Sequence, residues 1–116
     1  MTETINLFHE TLNIMSEYGK SPENVEWVGS EDGDLIMSWM EFTKVANFEY
    51  DNASGGMTVA ADIVVVGKDW WLERHDSLGA EWWEFKTLPK CTRPTHSITI
   101  VAGESYSTLK KMNSSD

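Results

Sequence analysis

Ile5, Phe8, Leu12 and Met15 recur at helical spacing, and Leu7, Thr11, Ile14 and Tyr18 widen the same stripe. The pattern predicts an amphipathic helix from about Thr2 to Tyr18. Gly19 supplies a left-handed stop and Ser21-Pro22 blocks continuation. His9 falls at the edge of the stripe, as a solvated or packed residue. The period then drops to two: Val25, Trp27 and Gly29 alternate with Glu26 and Val28, a strand pattern. Ser30 to Asp34 reads as a turn and Leu35-Ile36-Met37 as the returning strand. Although acidic, that turn lacks the donor spacing and terminal Glu of an EF-hand loop. Ser38-Trp39-Met40-Glu41 is a capping box, opening a short helix to about Asn47 with Trp39, Phe42 and Ala46 inward.

Beyond it, Phe48-Glu49-Tyr50 reads as extended and Asp51 to Gly56 as a loop. Val59 to Val66 contains Ile63-Val64-Val65-Val66, a run suited to the interior of a sheet. Gly67-Lys68 turns it into the next strand as a meander, and Ser97 to Val101 is a final alternating segment. The expected fold class is α+β. Two helices pack on a mostly antiparallel sheet of five to six strands, with one domain over 1–102 and a mobile tail over 103–116.

The most distinctive pattern lies between these segments, in DWWLERHDSLGAEWWEFKT from Asp69 to Thr87. Aromatic runs bounded by Asp, Ser and Gly predict a β-hairpin. Asp76-Ser77-Leu78-Gly79 suits a type I turn followed by a left-handed glycine, which gives a three-residue loop with a bulge. In that register Arg74 faces Trp82, Leu72 faces Glu84 and Trp70 faces Lys86. The cation–π contact of Arg74 would contribute roughly 0.5–1 kcal/mol if exposed. A loop one residue shorter or longer exchanges which tryptophans share a face. In either register the indoles of Trp70, Trp71, Trp82 and Trp83 divide between two faces, because successive side chains point opposite ways. One face packs on the core. The other is either covered by a helix or loop, or left open as an aromatic and acidic patch. Trp71, Glu73, Glu81, Trp82 and Glu84 are the candidate binding residues of such a patch.

Charge sharpens the picture. The 116-residue chain has 19 acidic and 9 basic residues, a formal net charge of −10. The acids are concentrated before Pro89, and the segment after it is slightly basic. So acidic a body repels phosphate backbones and is attracted to basic protein surfaces. A hydrophobic fraction of 41% suits a folded domain rather than a disordered one. No apolar run approaches 18 residues, so no membrane span is expected. The N-terminal acids do not suit an export signal, and Cys91 is the single cysteine; a cytoplasmic setting is expected.

Catalytic chemistry finds little support in these residues. Cys91 has His96 five residues on, but neither an acid motif nor a glycine elbow accompanies them. The chain is expected not to be an enzyme, with a small metal-dependent enzyme as the remote alternative. His75, Cys91 and His96 are the candidate metal ligands. Zinc is the ion that takes thiolate and imidazole together, and Asp76 or Glu81 could supply a fourth donor.

DWWLERH…GAEWWEFKTLP, preceded by ADIVVVG, resembles small acidic accessory proteins encoded by phages and prophages of Gram-positive bacteria. The similarity runs from about Val25 to Pro89. It implies an anti-CRISPR role, in which an acidic protein binds Cas9 in the host cytoplasm and keeps guide or target nucleic acid from loading. It also implies zinc at His75, Cys91 and His96. The basic channel of Cas9 that holds the RNA–DNA heteroduplex is the kind of surface such a body would occupy. The alternative is an interaction module in phage morphogenesis or host takeover.

Overall fold

The computed structural model describes residues 3–91 and 97–114. A short strand β1 (Ile5–Asn6) leads into helix α1 (Leu7–Glu17). The helix starts at Leu7 because Ile5 and Asn6 pair with a later strand, opposite Tyr50 and Glu49. Asn6 then caps it, its side-chain oxygen accepting from the His9 N–H at 3.1 Å. Leu7, Thr11 and Met15 form the buried stripe. After a 3-10 turn at Pro22–Asn24 come β2 (Val25–Ser30) and β3 (Ile36–Met37). Helix α2 (Trp39–Val45) carries the capping box in both directions: Glu41 N–H donates to Ser38 Oγ and Ser38 N–H donates to Glu41 Oε1. Strand β4 (Glu49–Tyr50) closes the small sheet with β1.

The main sheet adds β5 (Ile63–Gly67), β6 (Trp70–Ser77) and β7 (Ala80–Thr87). Its order is β3-β2-β5-β6-β7, antiparallel throughout, and the last three strands form the expected meander. The chain is therefore α+β, with a five-stranded sheet and a separate two-stranded one. Gly67 allows the β5–β6 turn to close: a Cβ there would stand 2.1 Å from Trp70 Nε1 and 2.6 Å from the Asn24 carbonyl.

Val28, Val65 and Leu72 lie side by side on β2, β5 and β6 and are fully buried. Phe42 from α2, Ala46 at its C-cap and Met15 from α1 belong to the same cluster. Burying a side chain of this size contributes about 1.5–3 kcal/mol. Both longer helices thus cover one face of the sheet. On β2 it is Val28 that enters the core, while Trp27 and Gly29 share the opposite face with Val66 and Val64.

The C-terminal segment departs from the expected pattern. Ser97 to Val101 forms no strand among the described residues, with Ile98, Ile100 and Val101 exposed. Its backbone is engaged by one side chain instead. Thr99 and Ile100 N–H donate to Asn113 Oδ1 at 2.9 and 3.0 Å, and Asn113 Nδ2 donates to the Ile100 carbonyl at 3.0 Å. Asn113 follows a third helix, α3 (Leu109–Met112), where the sequence suggests only a tail. Alternation is the pattern of a strand, but a strand also needs a neighbour, and here an amide side chain takes that place.

Candidate functional site: the open face of the tryptophan hairpin

The turn between β6 and β7 is two residues long, not three. Ser77 pairs with Ala80, and Leu78 and Gly79 both have positive φ, 50° and 84°. A type I′ turn requires that conformation at both positions. Leu78 adopts it at a cost of roughly 1–2 kcal/mol, having a Cβ where glycine or asparagine would be easier. The register therefore differs by one from the expected pairing: Arg74 stands opposite Trp83, and His75 opposite Trp82. What outweighs the local turn preference lies on the core side of the hairpin.

There the Arg74 guanidinium is buried 4.9 Å from the centre of the Trp83 ring. It donates to Glu81 at 2.6 Å, to Glu10 at 3.2 Å and to the Tyr50 hydroxyl at 2.9 Å. Arg74 Nε is the one buried side-chain nitrogen or oxygen without a hydrogen-bond partner among the described residues. Glu81 is 1% exposed, and its carboxylate also accepts from the Thr58 and Val59 N–H groups. Burial, then the hydrogen bond it donates to Glu10, raises the Tyr50 phenol well above its ordinary range. Trp83 Nε1 donates to Thr11 Oγ1 at 2.9 Å, and that hydroxyl donates to the Leu7 carbonyl. Trp70 is buried beside Phe85, which in turn stacks on Tyr18. Glu81 is thus withdrawn from the candidate binding set, because a carboxylate sealed against arginine and two backbone amides reaches no partner.

The opposite face carries the remaining candidates. Trp71, Glu73, Trp82 and Glu84 are all partly exposed there, joined by His75 and Lys86. Trp71 Nε1 donates to Glu73 Oε1 at 2.7 Å and Trp82 Nε1 donates to Glu84 Oε2 at 3.1 Å. The carboxylates converge on His75, whose Nε2 lies 2.6 Å from Glu73 Oε2 and 3.6 Å from Glu84 Oε1; Lys86 Nζ lies 3.2 Å from Glu84. The indole N–H of Trp71, then His75, holds Glu73 below the usual carboxylate range. The Trp82 N–H, then Lys86, does the same for Glu84. Both acids keep their charge to lower pH than an unperturbed glutamate, and the Trp71 and Trp82 indoles are each held by a carboxylate.

Two strands away, Trp27 joins this face. It pairs with Val66, which pairs with Trp71, and the two indoles flank a cleft of about 370 Å³. Glu31 and Glu73 complete its lining over a floor of Val64 and Val66. A larger groove, about 520 Å³, runs beside Trp82 and Trp83 between β7 and α1, with Glu10, Glu17 and Glu49 on its wall. Comparison with known proteins finds no matching family model, no matching curated protein and no matching solved structure.

Of the candidate metal ligands, Cys91 is exposed beyond the end of β7 and His75 is engaged with Glu73; His96 lies outside the described residues. Among the described residues no three of His, Cys, Asp and Glu are grouped to hold an ion, and no helix is long and apolar enough to cross a membrane. Sequence reasoning missed Glu10 and Tyr50 as partners of Arg74, which lie 64 and 24 residues away in the chain. It also missed Trp27, whose place on the open face follows once Val28 is assigned to the core.

Proposed function

We propose that the protein is a non-catalytic binding module whose open sheet face takes a protein with a basic surface. The carrying observation is the division of the sheet. Both longer helices cover one face, and the other presents Trp27, Trp71 and Trp82 among Glu31, Glu73 and Glu84. Indoles held at fixed geometry lose little conformational freedom on binding and contribute the desolvated contacts that charge alone lacks. The formal charge of −10 adds attraction to lysine- and arginine-rich partners and opposes nucleic acid.

The class of partner that best fits is a nucleic-acid-handling protein whose basic channel the acidic face would occupy in place of the polyanion. Its most concrete form is inhibition of Cas9, which rests on the resemblance of the double-tryptophan hairpin to phage accessory proteins. The test is Cas9 cleavage of a matched target with increasing amounts of this protein. Inhibition that weakens with salt, and that Trp71→Ala with Trp82→Ala relieves in a folded protein, supports the reading. Unimpaired cleavage, with virion or metabolic host proteins co-purifying through the same face, would transfer the module to phage assembly or host takeover. Capture that survives both substitutions would remove the open face from the account.

A further inference from the structure

The cleft between Trp27 and Trp71 has a more specific chemistry than the face around it. Trp27, Val66 and Trp71 are paired neighbours on three successive strands, so the two tryptophan backbones stand about 9–10 Å apart. A flat group in contact with a ring on either side needs about 7 Å between ring planes, from contact distances of roughly 3.5 Å. The backbone spacing leaves room for such a group between the two indoles. The floor is apolar, through Val64 and Val66. Gly29 faces Val64 without a side chain, and the Leu35 carbonyl lies where its Cβ would be, so the β2–β3 loop folds over that end. The same loop brings Glu31 to the cleft opposite Glu73. Glu73 accepts one hydrogen bond from Trp71 and is paired with His75. A carboxylate has about four acceptor positions, so capacity remains for an incoming donor.

We propose that this cleft receives the side chain of an arginine from a basic protein partner, its guanidinium between the Trp27 and Trp71 indoles and facing the carboxylates of Glu31 and Glu73. The inference rests on the open-face reading given above and names the group that the face selects. Arginine fits where lysine does not. Its cation is planar, stacks on indole, is weakly hydrated and presents a fork of donors to carboxylates, whereas an ammonium is compact and strongly hydrated. A nucleobase would fill the same slot, but its phosphates would meet Glu31, Glu73 and the acidic body.

The test follows the indole N–H resonances of the intact protein by NMR. The probes are blocked Gly-Arg-Gly and Gly-Lys-Gly peptides and a short single-stranded oligonucleotide. The arginine peptide is expected to shift the Trp27 and Trp71 signals saturably, with the lysine peptide weaker by about tenfold. Trp27→Leu should abolish the response while Val45→Ala, at an exposed position of α2 on the covered side of the sheet, leaves it intact, with far-ultraviolet circular dichroism confirming that both variants fold. Equal responses to arginine and lysine, stronger binding of the oligonucleotide, absence of saturable shifts, or undiminished binding by folded Trp27→Leu would each overturn the assignment. Capture of a basic partner separates the two proposals. If Trp27→Leu captures it normally while Trp71→Ala with Trp82→Ala does not, the open face stands and the arginine slot falls.

Discussion

The two faces of the β6–β7 hairpin are built from the same residue types and behave as opposites. Each has two tryptophans, with Glu81 and Arg74 on one side and Glu73, Glu84, His75 and Lys86 on the other. On the core side, Arg74 and Glu81 are sealed with Trp70 and Trp83, and Arg74 Nε is the one fully buried side-chain nitrogen or oxygen left without a hydrogen bond among the described residues. On the open side, Glu73, His75 and Glu84 keep about a quarter to a third of their side-chain surface in water, and their hydrogen bonds orient two indoles rather than close a core. Composition cannot tell such faces apart. What separates them is the third dimension: α1, β4 and the loop before β5 supply Glu10, Tyr50 and the Thr58 and Val59 amides to one side only.

If this division is right, the core side should dominate stability. Arg74→Ala strands the buried carboxylate of Glu81, and loss of one partner of a buried pair costs about 3–5 kcal/mol. Chemical denaturation should show a destabilised or unfolded protein, and near-wild-type stability would place Arg74 outside the core. Thr11→Val keeps the shape but removes the acceptor of the Trp83 indole, leaving a buried N–H unpaired at about 1–3 kcal/mol. Its measure is the same unfolding midpoint. At the turn the sign reverses. Leu78→Asn suits the positive φ and the preference for Asn-Gly in a two-residue hairpin, and is expected to stabilise by about 0.5–1 kcal/mol. A destabilised Leu78→Asn would argue for the longer loop and the other register.

The smallest effect on folding is expected on the open side, where Glu73→Gln with Glu84→Gln should leave the unfolding midpoint close to wild type while weakening capture of a basic partner. Both carboxylates titrate below the ordinary glutamate range, so they favour the folded state above that range. The contribution is lost as pH falls through the lowered folded values. Tryptophan fluorescence should therefore respond to acid below about pH 4.5 in the wild type and less in the double variant.

Much of the fold could be read from local pattern, because local physics decides it. The stripe of α1, the Ser38–Glu41 box and the Ile63–Val66 run each carry their own signal, and each element appears close to its expected place. The hairpin was visible, but its parity was not. Asp76-Ser77-Leu78-Gly79 favours a three-residue loop by local preference, and the partners that override it lie 64 and 24 residues from Arg74. The same limit misplaced Glu81, which shares composition and neighbours with the acids that remain exposed. Ser97 to Val101 failed for a related reason, since alternation says how a segment would present its side chains and nothing about whether a neighbouring strand is there.

The Arg74 cluster also has a bearing on how the protein is made. Glu10 leaves the ribosome 64 residues ahead of the arginine it must meet, and the closing carboxylate of Glu81 follows 7 residues later still. Until the second half of the hairpin emerges, the first helix lacks β7, the strand of the main sheet on which it packs. A chain truncated before Ala80 would therefore lack both the second strand of the hairpin and the carboxylate that closes the cluster.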